Sequence, residues 1–154
     1  MAISSIHSPL GFIQISASEL GINSLFFLEN DPENNDENKV LKNCIDQLKA
    51  YFRGELKNFD LPLDLQGTEF QKTVWKELLK IPYGKTISYM ELAKKLGDPK
   101  SIRAAAHTNG QNPVSIIVPC HRVIGSDGSL TGYAGGLWRK QWLLEHESKQ
   151  PPLF

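Results

Sequence analysis

The residues with the most chemical potential lie in one stretch, Asn112-Pro113-Val114-Ser115-Ile116-Ile117-Val118-Pro119-Cys120-His121-Arg122-Val123. An apolar run leads into Pro-Cys-His-Arg, and its character predicts an extended segment. Pro119 biases Val118 to an extended backbone and removes a ladder donor, so a strand is expected to end there, or to sit at a sheet edge, with Cys120 at its tip. A cysteine beside a histidine and an arginine has the ingredients of a stabilised thiolate, the reactive form of a nucleophilic cysteine. Consecutive strand side chains point to opposite faces. Cys120 and His121 can therefore interact directly only where the backbone bends, and otherwise through a bridging water, the preferred geometry here. The plainer reading makes Cys120 a small core hydrophobe and His121 a structural residue.

Four further features weigh against the plainer reading. Glu147 closes a helix end, Leu143-Leu144-Glu145-His146-Glu147, and can orient a histidine in a Cys–His–acid relay. Gly132-Tyr133-Ala134-Gly135-Gly136 is a glycine-rich loop with one aromatic, suited to wrapping a flat ligand as well as to an ordinary turn. Asn112-Pro113 makes a rigid turn just before the cysteine. Tyr89 and Arg103 fall on two helices of a candidate helix-turn-helix, described next.

The elements that must position these residues are legible from periodicity and punctuation. Short strands are predicted over 3–6, 12–15 and 22–28, separated by Pro9–Gly11 and Gly21. Residues 29–38 (ENDPENNDEN) form an acidic, turn-rich surface loop. A helix follows over 38–52, where Val40, Leu41, Cys44, Ile45, Leu48, Tyr51 and Phe52 recur at helical spacing; Asn38 caps it and Gly54 ends it. Cys44 sits on that apolar stripe and reads as an inert buried thiol. Residues 56–67 look extended, and Pro62 and Gly67 bound a linker. A helix over 68–81 carries Phe70, Val74, Trp75, Leu78 and Leu79 on one side, stopped by Pro82-Tyr83-Gly84. Ser88 with Glu91 three residues on makes a capping box for the next helix. That helix ends near Leu96–Gly97, and Asp98-Pro99 starts another that runs to about Asn109. Two short helices joined at Gly97–Asp98 resemble a helix-turn-helix. Ala104 to Ala106 lets the second of them come close to another surface, although alanine is also simply the best helix former.

The 154 residues suit one compact unit or two small ones, and 40% hydrophobic with 22% charged residues is ordinary globular composition. No run is apolar and long enough to span a bilayer. The first twelve residues carry no secretory signal, so the cytoplasm is the expected compartment. Two cysteines are too few for a cysteine-rich zinc site. No Walker loop, dinucleotide glycine pattern or HExxH motif occurs. Net charge is zero, but residues 1–60 carry 5 Lys/Arg against 9 Asp/Glu, and residues 72–103 carry 8 against 3. An acidic front and a basic middle suggest a surface that faces a polyanion, or a solvated helix face.

In this company the sequence resembles the O6-alkylguanine-DNA alkyltransferase family. The resemblance is carried by Thr68-Glu69-Phe70-Gln71 with Val74-Trp75, Ile81-Pro82-Tyr83-Gly84, Ser88-Tyr89, Arg103-Ala104, Asn112-Pro113, Pro119-Cys120-His121-Arg122-Val123, Gly132-Tyr133-Ala134-Gly135-Gly136, Lys140, and Leu143-Leu144 with His146-Glu147. It implies an α/β (α+β) fold: a small sheet-plus-helix domain over 1–64 and a winged-helix-like helix-turn-helix domain over 65–154. It implies repair of double-stranded DNA by moving an alkyl group from guanine O6, and less well from thymine O4, onto the protein's own cysteine. Cys120 would be the nucleophile, with His121, Glu147 and a water removing its proton and Asn112 holding the turn beneath it. Tyr89 would hydrogen-bond guanine N3. Arg103 would replace the flipped nucleotide in the stack, with Ser101, Ile102 and Ala106 against the DNA. The carbonyls of Cys120 and Val123 would accept the guanine amino group, and Tyr133, Ala134 and Lys140 would complete the pocket. No metal or organic cofactor and no membrane are implied, and a monomer is the default. Ala106 and Ala105 stand where the family commonly has glycine and valine, and His107-Thr108 also departs from its pattern.

Two other classes fit part of these features. A non-catalytic binder of alkyl lesions would lack the cysteine that this chain keeps. A Cys-His hydrolase would turn over and would leave the basic helix pair without a purpose. Stoichiometry separates the classes, because one event per molecule excludes a hydrolase.

Overall fold

Alternation of buried and exposed positions builds the front of the chain. The computed structural model describes residues 1–148 of the 154. Strands β1 (Ala2–Ser8), β2 (Gly11–Ser18) and β3 (Gly21–Leu28) form an antiparallel sheet in that order. In β2, Ile13, Ile15 and Ala17 are buried at the period of two that a half-buried strand requires. Helix α1 (Lys39–Phe52) turns Leu41, Cys44, Leu48 and Tyr51 inward against β1 and β2. Each such large aliphatic contributes roughly 1.5–3 kcal/mol on burial. The Asn38 side chain accepts the Leu41 N–H at 3.0 Å and caps the helix as its position suggested. The strands run longer than their apolar centres, because polar residues such as Ser4 and Ser16 also pair in the ladder.

The chain divides into two compact units: Met1–Gln66 with Pro113–Ser115, and Gly67–Asn112 with the chain from Ile116 onward. The segment expected to be a linker is partly structural. Ile22 donates to the Pro62 carbonyl at 2.9 Å, and Asp64 donates back to Ile22 at 2.8 Å, which docks this stretch along β3. A Cβ at Gly21 would lie 2.5 Å from the Pro62 carbonyl group, so only glycine permits so close an approach.

The second unit starts with α2 (Glu69–Leu78), capped by a reciprocal Thr68–Gln71 box. Val74, Trp75 and Leu78 are buried, but Phe70 and Leu79, expected on the same face, are about 40% exposed. Phe70 lies in the first turn, ahead of the segments that cover the rest of the stripe. A two-residue strand, β4 (Ile87–Ser88), leads into α3 (Tyr89–Lys95), capped by the Ser88–Glu91 box. Gly97, with φ +92°, supplies the left-handed residue that ends α3. The next helix opens with a tight 3-10 turn, Pro99–Ser101, before α4 (Ile102–Gly110). Pro99 lacks an N–H, and Asp98 accepts from Lys100 through its side chain and from Ser101 through its carbonyl, which tightens that turn. The Trp75 indole N–H donates to the Thr108 carbonyl at 3.1 Å and fastens α2 to α4.

The strand expected over the apolar run before Cys120 is absent. Residues 112–119 form turns, with a single bridge from Val114 to Leu25, and Ile116 sits at φ +72°. The Asn112 side chain donates to the Val118 carbonyl at 2.7 Å, taking the bond a neighbouring strand would have made. Cys120 therefore opens a 3-10 turn, Cys120–Arg122, and does not lie at a strand tip. The turn runs into β5 (Val123–Ile124), which pairs in parallel with β4, and α5 (Leu137–Ser148) follows the glycine-rich loop. No helix among the described residues is long and apolar enough to cross a membrane.

Candidate active site

The 3-10 turn places three consecutive side chains, Cys120, His121 and Arg122, in a buried setting. Cys120 is 4% exposed, and burial pushes its thiol up to about 11; an Asn112 side-chain hydrogen bond and the Lys140 charge act in the opposite direction. The resting side chain is thus a thiol, with roughly one molecule in ten thousand ionised at pH 7.

His121 is fully buried, and its Nε2 lies 2.7 Å from Glu147 Oε2 on α5. Burial would raise the Glu147 carboxyl, but its hydrogen bonds and charge interactions with His121 and Arg122 outweigh this and hold it well below the usual carboxylate range. An ionised Glu147 can only accept, so Nε2 donates and Nδ1 carries the lone pair. Burial lowers His121 below its ordinary value, opposed by Glu147 and aided by Arg122 and Lys140. The imidazole is a neutral base, and Nδ1 is buried with no hydrogen-bond partner among the described residues.

Arg122 does not serve the cysteine as its position in the sequence suggested. Its Nε donates to Glu147 Oε1 at 2.8 Å and its Nη2 to Oε2 at 3.0 Å, while Nη1 donates to the Ile81 carbonyl at 2.7 Å. This bidentate fork fixes the carboxylate that orients His121. Sequence reasoning did not assign Arg122 that task.

A second cluster lies on α3, α5 and the glycine-rich loop. The Tyr89 hydroxyl donates to the Thr131 carbonyl at 2.9 Å. Lys140, fully buried, donates to the same carbonyl at 2.8 Å and reaches the Tyr89 hydroxyl at 3.4 Å. Burial pushes its ammonium down to about 8, against the influence of Cys120. Tyr133 is buried and Ala134 exposed. Val123 is buried in β5 and donates its N–H to the Cys120 carbonyl, which also accepts from Asn109 Nδ2 at 3.3 Å. That carbonyl thus already has two donors, and a base amino group directed at it would share the oxygen with them. Asn109 and Thr131 were missed from sequence. Asn109 follows Ala105 by four residues on the inner face of α4, and a buried polar position there was the available signal.

On α4, Arg103, Ala104 and His107 are exposed, Ser101, Ile102 and Ala106 are half-buried, and Ala105, Thr108 and Asn109 face inward. The residues assigned to nucleic acid thus occupy the open side of the second helix of the pair.

Comparison with known proteins extends over both units. Residues 69–149 match the family model described as 6-O-methylguanine DNA methyltransferase, DNA binding domain, and residues 1–65 match its ribonuclease-like domain. The chain is 47% identical over 152 residues to a methylated-DNA–protein-cysteine methyltransferase of Mycobacterium tuberculosis (strain ATCC 25618 / H37Rv), covering 96% of this chain and 92% of that protein. It is 49% identical over 148 residues to one so named in Methanosarcina barkeri, covering 92% and 94%. Among solved structures it resembles Mycobacterium tuberculosis OGT in complex with DNA, with a TM-score of 0.88 at 47% identity over 96% of this chain and 93% of that one. An O6-methylguanine DNA methyltransferase from Methanococcus jannaschii aligns with a TM-score of 0.68 at 28% identity, covering 98% and 96%.

Proposed function

The chain belongs to the 6-O-methylguanine DNA methyltransferase family, and from that premise we infer which of its own residues carry the reaction. The protein repairs DNA by transferring an alkyl group from O6-alkylguanine to a cysteine of its own chain. In our reading Cys120 is that cysteine. The observation that carries the assignment is the buried Glu147–His121 pair at 2.7 Å, which leaves a basic Nδ1 one residue from the thiol.

The chemistry follows from the protonation states. The thiol proton passes through a water to His121 Nδ1, and the ionised Glu147 stabilises the imidazolium that forms. The thiolate attacks the alkyl carbon, the carbon–O6 bond breaks, and its electron pair leaves with the guanine. The base takes up one proton, so the proton lost by the thiol is recovered there. In this reading Tyr89 donates to N3 as charge develops on the base. When its hydroxyl turns from Thr131, Lys140 still donates to that carbonyl, so the swap leaves no acceptor unpaired. The resulting thioether has no easy route back, so each molecule acts once.

The damaged atom lies inside a duplex, so the nucleotide must leave the stack at a cost of about a few kcal/mol. Arg103 on the open face of α4 fills the gap in this reading, with Ser101, Ile102 and Ala106 against the DNA. Val123, Tyr133, Ala134 and Lys140 line the pocket, and the carbonyls of Cys120 and Val123 receive the guanine amino group. Thymine O4 lesions are the poorer substrate. A monomer in the cytoplasm acting on double-stranded DNA completes the proposal.

Intact mass with peptide mapping, after incubation with an O6-methylguanine duplex, tests the assignment. One methyl group on Cys120, saturating at one per protein, is expected. A protein that binds the duplex and stays unmodified overturns the assignment of Cys120 and leaves a lesion binder.

A further inference from the structure

Two buried acceptor atoms near Cys120 have no donor among the described residues: His121 Nδ1 and Asn109 Oδ1. The first follows Cys120 in the chain. The second belongs to a side chain whose Nδ2 lies 3.3 Å from the Cys120 carbonyl oxygen. The amide orientation is set by that contact, since a flipped amide would put oxygen against oxygen. Oδ1 is therefore an acceptor only, as is Nδ1 once Nε2 has given its hydrogen to Glu147. Buried polar atoms are rarely left unpaired, and a buried water typically satisfies about three. The thiol S–H alone supplies one hydrogen to two acceptors. A water supplies two hydrogens and accepts the third bond from the thiol.

We propose that Asn109 is a positioning residue for the nucleophile: its Nδ2 holds the Cys120 carbonyl, and its Oδ1 fixes the water that carries the Cys120 proton to His121. This rests on the reading of Cys120 as the alkyl acceptor. One water hydrogen is pinned by Oδ1 and the other points to Nδ1, which turns a water lone pair to the S–H. The thiol gives its proton to the water oxygen as the water passes a proton to Nδ1. Water is regenerated, and a thiolate and an imidazolium remain. The charged groups acting on this pair are Glu147 and Lys140 from α5 and Arg122 from the turn itself. A leucine at position 109 would fill much the same volume and leave no acceptor to satisfy.

The test compares Asn109→Leu with the wild type in single-turnover alkylation by an O6-methylguanine duplex at saturating DNA. Rates are followed from about pH 6 to about pH 10, spanning the ordinary histidine and cysteine values. We expect a variant about tenfold slower at pH 7, equivalent to one pH unit of thiolate supply. The gap narrows toward pH 10, as a growing fraction of Cys120 ionises without the relay. Thermal unfolding and affinity for the duplex should stay near wild type. Slowing by one factor at every pH, or no slowing, overturns the proposal. Should the variant not fold, a crystal structure of the wild type decides: an ordered water bonded to both Oδ1 and Nδ1 supports the role, and its absence from Oδ1 overturns it. If the wild type is not alkylated at Cys120, the functional reading itself fails; if it is and the variant keeps pace, only the role of Asn109 falls.

Discussion

Replacing Arg122 by methionine separates the two effects that its guanidinium exerts. The change keeps an unbranched side chain of similar reach but removes three short hydrogen bonds, two to Glu147 and one to the Ile81 carbonyl. Glu147 would remain buried and ionised, still paired with His121 but without its guanidinium counter-charge. Breaking a buried ion pair from one side typically costs about 3–5 kcal/mol, which in a chain of this size lowers the melting temperature by roughly 10 °C. The chemical effect is separate. Arg122 pushes His121 toward its neutral form and shares the Glu147 charge that pulls the other way. Without the guanidinium, both changes favour the imidazolium, and the His121 pKa rises. Each unit of rise is worth about 1.4 kcal/mol and removes up to tenfold of the neutral base below the new value. Single-turnover alkylation measured against pH should show the acid limb moved upward by about one unit. The rate should recover in alkaline buffer, where His121 is neutral again. Arg122→Lys, which keeps a charge but not the fork, should fall between the two. A folded Arg122→Met protein whose acid limb stays in place would refute the reasoning, as would a deficit that persists at high pH.

Glu147 governs acid stability with a definite sign. Its folded carboxyl lies below the unfolded value of about 4.3, so its contribution is present above that value and is lost as pH falls through it toward the folded one. Urea midpoints should therefore drop steeply below about pH 4, and Glu147→Gln should flatten that slope while lowering stability at neutral pH. An unchanged slope would place the acid sensitivity elsewhere. Cys120→Ala should abolish alkyl transfer and leave duplex affinity near wild type, because the open face of α4 lies on other residues; gel-shift titration checks this, and loss of both activities contradicts it. Arg103→Ala should slow repair of duplex DNA more than reaction with free O6-alkylguanine base. Equal slowing of the two would remove its role in base extrusion.

Much of the scaffold is legible because its boundaries are chemical. Asn38, Ser88 and the Gly97-Asp98-Pro99 stop each act on backbone groups within a few residues, so local sequence suffices to find them. The run before Cys120 is different. A buried β-branched segment has the same composition whether it is a strand or a series of turns, and the deciding fact is where its backbone bonds go. Here one goes from Asn112 to Val118 and others to Leu25, partners 6 and about 90 residues away. The misreading of Arg122 has the same origin. Along a strand, Cys120 and Arg122 would share a face, and the guanidinium would naturally serve the thiolate. A 3-10 turn rotates successive side chains by about 120°. Thiol, imidazole and guanidinium therefore diverge: the first toward Asn112 and Lys140, the second and third toward Glu147. This divergence lets His121 and Arg122 share one carboxylate while the buried thiol stays un-ionised. It is also why the proposed proton transfer between these sequence neighbours is routed through a water, and why the proposal gives the holding of that water to a residue of α4, Asn109.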